Sequence, residues 1–275
     1  MSTSAPERPR LHWWGTVLYP AGLVALFLGL QMLLGLLGVP AAQRATLAAL
    51  PSVAALLASL PWRLQRAWGV ADAWRCLGVS GSPSALLKAL LRGVIKAVLL
   101  LALVLVCLQL TGDLSWQPRL TAGLLLNGLA LGLGVGFAEE VLFRGWLLGE
   151  LQLLLGAQRA LWLQAACFSL VHTRFNLPPL LLLGLLLGLL LLGLALGLQR
   201  RADHGLIWGA IGLHGGLVAG WFVLVQGVVL IDADAPVWLT GPDNPIGGIE
   251  GLVGLALLLV VRRPWWNTAS STSAP

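Results

Sequence analysis

A chain of 275 residues that is 58% hydrophobic and only 10% charged, with a mean hydropathy of +0.87, excludes an ordinary soluble fold and reads as a polytopic membrane protein. Its formal charge of +6 does not point to nucleic acid, because the cations fall between apolar spans instead of forming one solvated basic face. Cys76, Cys107 and Cys167 have no short spacing, so they make neither a disulfide framework nor a zinc knuckle.

Each crossing needs ~20 apolar residues. The first predicted span runs from about Gly15 to Leu37, too long for the apolar region of a cleaved signal peptide, and Gly38-Val39-Pro40 ends it. The second, about Ala45 to Leu60, is short and interrupted by Pro51. Pro61 to Leu91 holds Arg63, Arg66, Arg75 and Lys88 with Trp68 and Trp74, which predicts an amphipathic segment lying on the membrane surface. The third span is about Arg92 to Leu110, and the fourth begins near Thr121 and continues toward Leu155. The fifth (about Ala160 to Asn176), sixth (about Leu180 to Leu198), seventh (about Gly205 to Ile231) and eighth (about Gly247 to Val261) complete the set. The expectation is an all-α membrane helix bundle of about eight transmembrane helices. It forms a single domain over residues 13–264, between disordered tails at residues 1–12 and 265–275.

Lys and Arg set the expected orientation. Thirteen lie at the N-terminus and in the loops after the second, fourth, sixth and eighth spans, against Arg44, Arg119 and Arg174 on the other side. That asymmetry predicts a multi-pass protein with both termini cytoplasmic. Its standing partners are then membrane lipids. Trp13, Trp14, Trp62, Trp116, Trp238, Trp265 and Trp266 near span ends fit an interfacial belt.

The fourth span carries the chemistry. Gly128, Gly132 and Gly136 recur every fourth residue and lead into Glu139-Glu140 and Arg144. On a helix this spacing makes one slowly drifting face, where glycines admit a second helix closely. Ionisable groups at bilayer depth are costly, so their default reading is functional. Glu139 and Glu140 point about 100° apart on a helix and need not share a proton. One is a candidate base for a water, while a structural Glu140–Arg144 pair is the plainer alternative.

His172 lies four residues after Phe168 in the fifth span, and His214 lies among Gly212, Gly215 and Gly216 in the seventh. Each is as readily a packing residue as a ligand or oxyanion donor. At ~1.5 Å per residue, Glu140 lies roughly 15 Å from the cytoplasmic end, His214 at similar depth and His172 somewhat deeper. Three polar residues from separate spans thus share one level. The chain has no phosphate-binding glycine loop, no serine with a base, and no pair of histidines at helical spacing. No internal repeat supports a transporter.

Glu139-Glu140-x-x-x-Arg144, then Phe168-x-x-x-His172, then His214 resembles the three-motif signature of the CPBP family of intramembrane proteases, which comprises CAAX prenyl-protein endopeptidases and bacteriocin-processing or self-immunity proteins. The resemblance covers about residues 120 to 225. It implies a protease core within the membrane acting on a peptide or lipidated protein. Glu140, with Glu139 as a second candidate, would activate the attacking water, His172 and His214 would support it, and Arg144 would fix the acidic helix. The same resemblance allows Zn²⁺ held by Glu140, His172 and His214. Family members often carry Asn or Asp four residues after the last histidine, where this chain has Val218. The alternative is therefore a non-catalytic self-immunity or scaffold protein that keeps the protease fold.

Overall fold

The computed structural model describes residues 11–241 and 244–261, so most of the N-terminal tail and all of the C-terminal tail expected from the sequence lie outside the described residues. The chain divides after Cys76 into two compact units.

The first unit is a helical hairpin. Helix α1 spans Trp13–Leu36 and α2 spans Ala41–Trp68, followed by the single turn α3, Ala73–Cys76. Helix α2 runs through both Pro51 and Pro61. The sequence predicts instead a short span from about Ala45 to Leu60, interrupted by Pro51, with the surface segment beginning at Pro61. In lipid, however, a broken helix would leave backbone groups with no water to bond, so the helix continues past its prolines. Tyr19 Oη and Ser59 Oγ lie 2.9 Å apart across the hairpin.

The first helix of the second unit is α4 (Pro83–Thr111), which takes up the end of the expected surface segment, Pro83 to Leu91. Strand β1 (Leu114–Trp116) follows, then α5 (Ala122–Glu140), a π-helical stretch (Val141–Leu147) and α6 (Leu148–Leu155), all three in one continuous rod. Next come α7 (Ala157–Leu170), α8 (Pro179–Ala202), α9 (Trp208–Gly227), strand β2 (Val229–Ile231), the short α10 (Val237–Thr240) and α11 (Ile249–Val261). The strands pair antiparallel, Ser115 opposite Leu230, and tie the loop before α5 to the end of α9. Nothing in the apolar periodicity announces this pair.

The fold is all-α apart from that ribbon, and it is an integral multi-pass membrane protein. Among the described residues, six helices are long and apolar enough to cross a membrane: α1, α2, α4, the rod from α5 to α6, α8 and α9. The expected eight is more than these helices show. The fifth and eighth predicted spans are α7 and α11, of 14 and 13 residues. The turn after α7 begins at Val171, well before Pro178, which removes the residues that would have completed that crossing.

Glycine sets the centre of the second unit, because α9 lies between α4 and α5 at backbone distance. A Cβ at Gly132 would lie 2.5 Å from the Gly215 carbonyl oxygen, and one at Gly93 would lie 2.1 Å from that of Gly209. The stripe Gly128, Gly132 and Gly136 is thus a helix-packing face, and so are the glycines around His214. Around this sits a leucine core from α8, with Phe143, Phe168, Leu213 and Leu255. Gly132→Ala is expected to lower stability by about 1–3 kcal/mol through overpacking. Gly134→Ala, whose Cβ would meet nothing within 4 Å, is expected to be neutral or slightly stabilising. Thermal melts of the two variants in one detergent check the contrast.

Candidate active site

Three elements bring their polar residues to one place. The last turn of α5 supplies Glu139 and Glu140, and the π-helical stretch supplies Arg144. The turn after α7 supplies His172, and the middle of α9 supplies His214. All five residues expected from the sequence are joined by contacts within this cluster, but they fall into two groups with different surroundings.

The first group is sealed. Arg144 Nη1 donates to Glu140 Oε1 at 2.9 Å, and neither side chain has any exposure. His214 Nδ1 also lies 2.9 Å from Glu140 Oε1. A carboxylate paired with a guanidinium accepts hydrogen bonds, so His214 carries its proton on Nδ1 and turns Nε2 the other way. The Arg144 guanidinium lies 4.1 Å from the centre of the Phe168 ring. That ring is fully buried, meets Phe143 edge-on at 5.1 Å, and borders His172 at 4.8 Å and His214 at 5.8 Å. It is the floor on which the cation and both imidazoles rest.

The second group opens outward. His172 Nδ1 lies 2.7 Å from the Phe168 carbonyl, which can only accept, so His172 also turns Nε2 away from its helix. Both Nε2 atoms face Glu139 Oε2, at 3.6 Å for His172 and 4.0 Å for His214. That oxygen is buried and has no hydrogen-bond partner. The Glu139 and His172 side chains are 28% and 34% exposed, against 8% for His214. Glu139 is therefore the more exposed of the two carboxylates, although its Oε2 is itself buried.

Sequence reasoning found these residues but not their framing. Phe168 entered only as a spacing marker, and its position four residues before His172 was the sole signal. The π-helical stretch, a feature frequent at functional sites, left no trace in the apolar pattern. Arg200 is one of the thirteen Lys and Arg that the sequence places at the N-terminus and in loops. It is buried in the last turn of α8, where Nη1 donates to the Arg144 carbonyl and Nε donates to the Gly205 carbonyl at 3.1 Å. It thereby ties the π-helical stretch to the end of α8.

The ligand set Glu140, His172 and His214 does not fit a metal. Glu140 sits on the Nδ1 edge of His214 with its Oε1 already held by Arg144, while His172 faces Glu139 on the opposite, Nε2 edge. Among the described residues, no three or more His, Cys, Asp or Glu side chains are arranged to hold a metal ion.

Residues 121–220 match the family model described as Rce1-like, Type II CAAX prenyl endopeptidase Rce1-like, close to the 120–225 segment that the motifs delimit. No curated protein and no solved structure matches the chain. The matched segment opens at the N-cap of α5 and closes within α9, so it takes in the acidic pair, Arg144 and both histidines. Over residues 121–220, then, the chain is similar to the Rce1-like family, described as Type II CAAX prenyl endopeptidase Rce1-like.

Proposed function

We propose that this protein is an intramembrane endopeptidase of the CAAX type, in which Glu139 activates the attacking water. The observation that carries the reading is Glu139 Oε2, which has no hydrogen-bond partner and is faced by two imidazole nitrogens. A water bonded to this oxygen and to either Nε2 meets the geometric requirement for general-base catalysis. The water oxygen adds to the scissile carbonyl carbon as Glu139 takes its proton. The carbonyl π electrons move to oxygen, giving a tetrahedral oxyanion. Collapse of that intermediate breaks the C–N bond, and the proton held by Glu139 passes to the leaving amine.

Glu140 has a different part in this scheme. It holds the Nδ1–H of His214, so a proton on Nε2 would make an imidazolium stabilised from behind by a carboxylate. That Nε2–H is the donor best placed to meet the oxyanion. It offsets in part the amide lacking at position 218, one turn beyond His214. Arg144 holds the Glu140 carboxyl in place through their 2.9 Å contact. The substrate class, a membrane-anchored peptide or lipidated protein, follows from the matched family and from a site framed by membrane-spanning helices. The Lys/Arg distribution supports cytoplasmic termini.

Val218 favours a second reading, a scaffold or self-immunity protein that keeps the fold without turnover. Both readings meet one experiment. Wild type and Val218→Asn, purified and reconstituted in lipid, are given a farnesylated CAAX-type peptide and a panel of membrane-anchored peptides. Cleavage at one bond by wild type is expected, with a gain of up to about 10²-fold in Val218→Asn from the added oxyanion donor. Silence from both proteins across the panel would displace the enzyme reading in favour of the scaffold.

A further inference from the structure

Away from the catalytic cluster, α4, α9, the turn Pro245–Gly247 and α11 line a partly open cavity of about 30 Å³, walled by Leu101, Val104, Leu217, Ile246 and Leu255. One ionisable side chain lines it. Glu250, in the first turn of α11, is 4% exposed, and neither of its carboxyl oxygens has a hydrogen-bond partner. Among the described residues, the ionisable groups that act on it or on which it acts are Cys107 on α4 and Asp113 in the loop beyond α4, and neither brings positive charge.

Such a carboxyl has to be neutralised. An unpaired carboxylate in a buried apolar site costs several kcal/mol, so either a cation or a proton must cancel its charge. A metal cation needs several oxygen ligands, whereas the walls here are hydrocarbon apart from Glu250 itself. A proton needs none. The O–H it creates can donate to water, and the cavity has room for about two water molecules.

We propose that Glu250 and this cavity form a proton-binding site, independent of the catalytic cluster, whose occupancy holds α11 against α4. Losing the proton places a negative charge between two helices and beside Asp113, which favours their separation. Burial, with the Asp113 charge adding to it, pushes the carboxyl up to about 7. The value in the fold lies above the ~4.3 of an exposed glutamic acid, so the stability this site contributes is complete below that value and is lost as pH rises through about 7.

Infrared spectra and thermal melts of the full chain in neutral-lipid nanodiscs, from about pH 5 to about pH 8, test the site. Wild type is expected to show a protonated-carboxyl band that fades across this range, and a melting temperature that falls by several degrees. Glu250→Gln, a neutral isostere, is expected to lack that band and to melt with a much flatter pH dependence. Glu250→Met, of similar volume, serves if the amide variant does not fold. The same fading band and the same pH slope in these variants would overturn the proposal. So would a sodium- or potassium-dependent rise in melting temperature at constant pH that disappears with Glu250, since the neutralising ligand would then be a metal cation.

Discussion

Glu139→Gln is expected to lower the cleavage rate by about 10²–10⁴-fold, the usual contribution of a positioned general base. Its melting temperature should stay close to that of wild type. Glu139 Oε2 has no hydrogen-bond partner to lose, and the side chain is partly exposed. The amide keeps the shape and can still bond a water, but it cannot take a proton from it. Single-turnover cleavage in lipid, with a melt on the same preparation, separates lost chemistry from lost structure. A rate within a few-fold of wild type would remove Glu139 from the catalytic role and return it to Glu140, the residue favoured by the sequence alone.

Arg144→Ala is expected to act in the opposite way, destabilising the fold by about 3–5 kcal/mol, the cost of leaving one member of a buried ion pair alone. Both members of the pair have no exposure, and Arg144 also covers Phe168. Glu140→Ala should destabilise by a similar amount, since it strands the guanidinium and frees His214 Nδ1 together. The double variant, with no charge left to strand, is expected to lose less than the two single losses combined. Melting temperatures of the three variants in one detergent check this. Additive losses would show that the two residues act separately, against the 2.9 Å contact between them.

The two adjacent glutamates thus mark where the sequence stops being informative. Composition and the lengths of the apolar runs were enough for a polytopic all-α protein, because a helix that crosses lipid must satisfy its own backbone and recruit apolar residues along its whole length. The glycine stripe on α5 and the ordered Glu, Arg and His positions were equally visible, since helical periodicity and spacing are local properties. Which glutamate faces the histidines was not. Successive residues on a helix diverge by about 100°, and the choice between them depends on where α7 ends and how α9 is rotated. The turn beginning at Val171 carries His172 to Glu139, and the close approach of Gly132 and Gly215 fixes His214 between the two carboxylates. The Phe168 floor, the hold of Arg200 on the π-helical stretch and the buried carboxyl of Glu250 likewise join residues far apart in the chain. Sequence determined the solvent, the helices and the chemical groups available. Only tertiary packing decided which carboxylate is sealed and which is open, because burial and hydrogen-bond partners are properties of neighbours and not of positions along the chain.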